Sequence, residues 1–248
     1  MGGATDIVSG PPLAQPLGLA PEDLCAMAAA VERVAVPQQG DARESILAAA
    51  ARCFCERGFA ASSIDDVAQA LSATKGMVYH HFRSKTDLFL AVYERGMEIN
   101  TRAVRPQRDA PHALPSERLA AMGFAHAVAM MAHRSFQRVL LQGVTMHQTG
   151  ATTAMQRDTL GQLMAVRDEY EAMFRDAVGA AGTLEETDLA TRSFLTVLNG
   201  PVFWYSPRED DAAAERRSIA ARITFMALRS LGVPTPDALR TMGGYEDG

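Results

Sequence analysis

The chain has 248 residues, enough for one large domain or for a small module joined to a larger one. Hydrophobic residues at 48% and charged residues at 21% exclude wholesale disorder and fibrous repeats. A formal net charge of -5 argues against a uniformly basic nucleic-acid binder, so the distribution of charge must decide. Residues 1–39 are expected to form a mobile, Gly-, Pro- and Ala-rich extension. Within it, Leu24, Met27, Ala28, Val31 and Val34 predict a short helix over 22–35 that docks on the body of the protein. Pro37 to Asp41 reads as a linker. Ile46, Leu47, Ala50 and Phe54 then form an apolar stripe that runs to Gly58, a helix stop.

A second helix begins at Ser62 or Ser63, with Asp65 or Asp66 in its first turn, and stops near Leu71. Ser72 and Ala73 make a tight connection, Thr74 caps a third helix, and that helix runs through Met77, Val78 and Tyr79 to about His81. The chain has two lysines, Lys75 and Lys85. His80, His81 and Arg83 fall between them, which makes this the most basic short stretch of an acidic chain.

Beyond Ser84 the pattern is one of successive long helices with no alternating strand signal. A loop is expected from Pro106 to Pro115, and another boundary between Gly143 and Gly150. Thr183 and Glu186 have capping-box spacing after Gly182, and Gly200-Pro201 should kink or end the helix before it. The final helix should span about Asp210 to Leu231, where Pro234 and Pro236 follow. The expected fold is all-α: a three-helix helix-turn-helix head over 40–88, a larger helical domain over 89–233 and a tail over 234–248.

Ile46 to Ala50, Phe54, Arg57-Gly58-Phe59, Ser63 to Ala68, Thr74-Lys75-Gly76, Tyr79 to Phe82 and Ser84-Lys85 with Asp87-Leu88 together resemble the TetR family of bacterial regulators. The resemblance covers about fifty residues and implies a transcriptional repressor. Such a protein binds a near-palindromic double-stranded DNA operator as a homodimer, its recognition helices about 34 to 36 Å apart. Lys75 can reach guanine N7 and O6, Gly76 allows close backbone approach, and Met77 can touch a thymine methyl. Tyr79 and His81 offer phosphate donors, as do the helix starts at Ser63 and Thr74. The resemblance adds His80 and Lys85 as contacts, against the alternative of ordinary surface side chains, while Phe82 reads as a core pin.

The resemblance also implies a pocket in the larger domain for a small-molecule effector, with the fourth helix carrying its signal to the head. His126, Met130, Arg138, His147, Asn199, Trp204 and Tyr205 are its candidate lining, set against plain structural roles. The run Asn199 to Pro207 is similar to the end of the eighth helix in relatives that respond to acyl or coenzyme A compounds, which favours a hydrophobic or acyl-type effector. For the dimer interface, the family surface selects Phe194, Leu195, Leu198, Ile219, Ile223, Met226 and Ala227.

An enzyme is the first rival class. Cys53 and Cys55 lie two apart on a helix and project about 200° from each other, so they cannot join His80 and His81 around one ion. His126 and His133 sit about 10 Å apart along a helix, with no activating partner recognisable. No metal, cofactor or catalytic residue is expected. Three cysteines, Cys25, Cys53 and Cys55, fit a reducing cytoplasm, and no stretch reaches membrane-spanning length. A helical protein-interaction module without DNA binding, or an activator in place of a repressor, is the alternative.

Overall fold

The computed structural model of the chain describes residues 17–34, 41–148, 154–181, 186–206 and 212–233. Gly150, Gly182, Thr183, Pro234, Pro236 and both tails lie outside them, as do the side chains of 144–148 and 154–160. Every regular element among the described residues is an α-helix. In chain order these are α1 (Pro21–Arg33), α2 (Ala42–Ala61), α3 (Ile64–Ala70), α4 (Lys75–His81), α5 (Lys85–Asp109) and α6 (Pro115–Ala132). There follow α7 (Arg134–Gln148), α8 (Ala154–Ala181), α9 (Thr187–Asn199), α10 (Pro201–Trp204) and α11 (Ala212–Ser230).

The helices form two compact units. One comprises Val34–Thr101 and His133–Tyr170. Its α2 presents Ile46, Leu47, Ala50 and Phe54 to the interior, and the rings of Phe54, Phe59 and Phe89 meet at centroid distances of 4.9 to 5.9 Å. Gly58 interrupts α2 with φ 78° and ψ 164°, a backbone region nearly closed to other residues. Helix α7 packs on α2, and Gln142 Nε2 donates to the Phe54 carbonyl at 3.0 Å.

The boundary expected between Gly143 and Gly150 is met by the end of α7 at Gln148, and Gly143 itself has another role. It lies inside α7, where a Cβ would stand 2.6 Å from Tyr93 Cε2, so close packing on α5 requires its small size. Pro106 likewise lies inside α5 and does not open a loop. Its ring suits helical φ, and the hydrogen bond it deletes belongs to the last turn, where His112 Nε2 engages the Gln107 carbonyl at 2.8 Å.

The other unit comprises, of the described residues, 17–33, 102–132, 171–181, 186–206 and 212–233. Helix α1 lays Leu24, Met27, Ala28 and Val31 on α6 and α11, and Arg216 pairs with Glu32 at 2.9 Å. Pro115 opens α6, whose free amides at Ala113 and Leu114 are met by Glu117 Oε2. Helices α6, α9 and α11 pack so closely that a Cβ on Gly123 would stand 3.0 Å from Phe194 Cζ and 3.1 Å from Thr224 Cγ2. At Gly200-Pro201 the helix ends, and Pro201 starts α10 at the position where a missing N–H costs nothing.

Two consequences can be measured. Gly58→Ala introduces no clash, since nothing lies within 4 Å of the added Cβ, but it forces an L side chain into that backbone region; denaturant unfolding should show a loss of about 1–3 kcal/mol. His126 is buried against the edge of Phe174, and Nε2 donates to Asn199 Oδ1 at 2.9 Å. Burial holds its imidazole down to about 4, with the Asn199 bond pulling the other way. Below its ordinary pKa the unfolded state takes up the proton that the folded state refuses. The stability tied to neutral His126 is therefore complete above about pH 6.5 and falls by about 3 kcal/mol as pH drops towards 4. Unfolding curves at pH 7 and pH 4.5 should show this slope in the wild type and a flatter one in His126→Gln.

Candidate nucleic-acid interface

The head is assembled from caps. Ser63 begins α3 with a reciprocal box: its hydroxyl accepts from Asp66 N at 3.1 Å while Asp66 Oδ2 accepts from Ser63 N at 2.8 Å. These hydrogen bonds from Ser63, with Arg57 beside them, hold the Asp66 carboxyl below its ordinary range. Ser62 is buried and donates back to the Gly58 carbonyl at 2.7 Å, so of the two expected caps Ser63 serves α3 and Ser62 serves the end of α2. Ser72 adopts φ 52°, the left-handed turn between α3 and α4, and the Ala73 amide returns to the Ala68 carbonyl at 2.9 Å. Thr74 then caps α4 by accepting from Met77 N at 3.4 Å.

These constraints decide which side of α4 faces out. Val78 is fully buried and Phe82 follows it into the core, under the Arg43 guanidinium at 5.4 Å. Lys75, Gly76, Tyr79, His80 and His81 are exposed and Met77 is half-buried; Lys75 and Tyr79, four apart, share one stripe. Tyr79 keeps 46% of its surface open, a large aromatic left at the surface of a seven-residue helix. The stripe presents a cation, a Cβ-free position, a phenol and an imidazole, the groups that hydrogen-bond base edges and phosphates.

Lys85 behaves differently from the expectation of a phosphate contact. Its ammonium donates to the carbonyls of Phe59 at 2.9 Å, Ser62 at 2.9 Å and Ala60 at 3.4 Å, and it lies 4.5 Å above the Phe59 ring. All three of its N–H bonds are spent within the head. Lys75 also has a partner that sequence position does not assign: its Nζ meets Asp65 Oδ2 at 2.9 Å and stands 5.8 Å over the Tyr79 ring. The Asp65 hydrogen bond and charge raise the Lys75 pKa. The signal for this pairing is the opposite charge of two residues flanking the turn, whereas position alone marks Asp65 only as a favourable charge in a helix's first turn.

The candidate effector residues separate. His126, Met130, Asn199, Trp204 and Tyr205 fall in one unit and Arg138 and His147 in the other, and the His147 side chain lies outside the described residues. His126 meets Asn199, Met130 is buried, and Tyr205 is buried with its hydroxyl donating to the Ala212 carbonyl at 3.4 Å. Trp204 is 58% exposed and does not line an interior.

The candidate dimer residues divide as well. Phe194, Leu195, Leu198 and Ala227 are buried within the subunit, because α9 and α11 both turn these residues inward; they are core and not interface. Ile219 and Ile223 are half-buried and Met226 is 63% exposed. Leu189, Phe203 and Trp204 are apolar residues outside the expected interface that stay open. Cys53 is buried in α2 while His80 and His81 are exposed on α4, and among the described residues no three metal-ligating side chains cluster.

Residues 46–92 match the family described as bacterial regulatory proteins, tetR family, and residues 112–231 match the tetracyclin repressor-like C-terminal domain. The HTH-type transcriptional regulator AcrR of Shigella flexneri is 23% identical over 199 residues, which are 76% of this chain and 90% of that protein. Among solved structures, the TetR family transcriptional regulator PfmR from Thermus thermophilus has a TM-score of 0.61 at 27% identity, over 74% of this chain and 97% of its own. AibR in complex with isovaleryl coenzyme A and operator DNA shares the fold, with a TM-score of 0.58 at 22% identity over 75% of this chain and 98% of its own. The proteins matched are regulators and not enzymes. The two parts of the family pattern follow each other in chain order, the first over the helix-turn-helix, and the chain belongs to the TetR family of transcriptional regulators.

Proposed function

We propose that this regulator is a homodimeric repressor that binds a near-palindromic operator and is released by a small hydrophobic or acyl-type effector. The observation that carries DNA binding is the exposed stripe of α4, where Lys75, Gly76, Tyr79 and His80 stand free of the core that Val78 and Phe82 enter. Met77 and His81 flank it. Ser63 and Thr74 act first as caps and only then as neighbours of the DNA backbone. Lys85 acts by fixing the head and not by touching phosphate.

Dimerisation is supported by what α9 to α11 leave uncovered. Ile219, Ile223 and Met226 on α11, and separately Leu189 on α9 and Phe203 and Trp204 on α10, keep apolar surface open to a second copy. The effector reading is supported by the neutral, buried His126–Asn199 pair in an apolar interior, and by the acyl-CoA ligand of the similarly folded AibR. An operator-bound repressor works in the cytoplasm.

Selection of bound duplexes from a random pool tests the central reading. An inverted repeat should emerge, and its affinity should fall about a thousandfold between 50 and 200 mM salt if six phosphates are neutralised. Failure to enrich any sequence, with binding indifferent to salt, would leave the protein-interaction module as the better reading. Lys75→Ala should cost about 1–3 kcal/mol at one base position and relax selectivity there. Lys85→Met should weaken all duplexes alike and lower stability by about 2 kcal/mol, because it strands carbonyls at the end of α2. A Lys85→Met protein with unchanged melting temperature would return Lys85 to the phosphate-contacting set.

A further inference from the structure

The first turn of α3 carries two acids with separate tasks. Asp66 completes the capping box with Ser63 and takes Arg57 as its ion-pair partner. Asp65, one position earlier, plays no part in that box. Among the described residues its carboxylate has a single hydrogen-bond partner, the Lys75 ammonium at 2.9 Å, although both side chains are more than half exposed. Lys85, the other lysine, is occupied by backbone carbonyls. The ammonium free to meet DNA is therefore the one that Asp65 holds, across the turn and above Tyr79.

We propose that Asp65 is a specificity-determining residue that acts through Lys75, and this rests on the DNA-binding reading above. In the free protein Asp65 folds the lysine back and cancels its charge at the surface that meets DNA. A non-cognate duplex offers Lys75 only phosphates, which must displace one anion with another while Asp65 stands nearby. A correctly placed guanine offers two acceptors, N7 and O6, in a fixed geometry inside the groove. The carboxylate thus penalises non-cognate binding more than cognate binding, and discrimination is a difference of affinities. An exposed ion pair is weak, so the effect is a tuning of selectivity of a fewfold and not a switch.

Asp65→Asn, Lys75→Met and the double variant test this, since the amide keeps the shape of Asp65 and spares the Ser63–Asp66 box. A first readout needs no DNA. With two lysines in the chain, isotope-labelled lysine NMR resolves both ammonium titrations, and Asp65→Asn should lower that of Lys75 while leaving Lys85 in place. An unchanged Lys75 titration would overturn the inference directly.

The second readout is fluorescence anisotropy with two probes, the duplex selected by the wild-type protein and a scrambled duplex of equal length. Asp65→Asn should tighten the scrambled duplex about threefold more than the selected one, and steepen its salt dependence by about one phosphate per subunit. In the Lys75→Met background that difference should vanish. Equal tightening of both probes, or a difference that persists without the lysine, means simple repulsion of DNA by the carboxylate and overturns the inference while DNA binding stands. A wild-type protein that binds neither probe overturns the DNA-binding reading and this inference with it.

Discussion

Helix α2 kinks where Gly58 leaves the helical region, and the carbonyls of Phe59, Ala60 and Ser62 that follow need donors. Lys85 supplies them from the start of α5, and the Ser62 hydroxyl adds another by bonding to the Gly58 carbonyl. The ammonium also rests on the Phe59 ring, which packs on Phe89 of α5 at 4.9 Å, so charge and aromatic packing fix the same junction. The direction in which the chain enters Ser63 follows from that junction. The capping box, the left-handed turn at Ser72 and the outward face of α4 all depend on it in turn.

Local chemistry carries much of this in the sequence. Caps at Ser63 and Thr74, the break at Gly58 and the apolar spacing of α2 are contained within single turns of helix, so a reading by position finds them. The α1 helix is legible for the same reason. Misreadings arise where a residue's role is set by a distant partner. The packing role of Gly143 shows only once Tyr93 is seen lying on it, and Pro106 resembles a loop start until the last turn of α5 closes around it.

The site divides along the same line. Exposure of Lys75, Tyr79 and His80 follows from periodicity, because Val78 and Phe82 have to go inward. Lys85 carries the same charge as Lys75, yet its acceptors lie more than twenty residues earlier in the chain, and composition says nothing of them. On α9 and α11, apolar periodicity shows that a face is buried without showing by what. Gly123 supplies the answer for Phe194: it leaves room for α6 to approach, and the α9 residues assigned to a partner are core.

The acidic total of the chain also needs a physical account. Between residues 41 and 92 there are six basic and six acidic side chains, so the head has no net attraction for DNA at long range. What it has is arrangement. Asp41 caps α2, Glu44 pairs with Arg95, and Asp66 is committed to Ser63 and Arg57, so these negative charges are held by partners in the head. Arg43, Arg52 and Arg83 stay exposed. Asp65 differs from Asp41, Glu44 and Asp66 in pairing with Lys75, the lysine proposed to read DNA, and its position there makes sense if affinity for DNA in general is a quantity the head must limit.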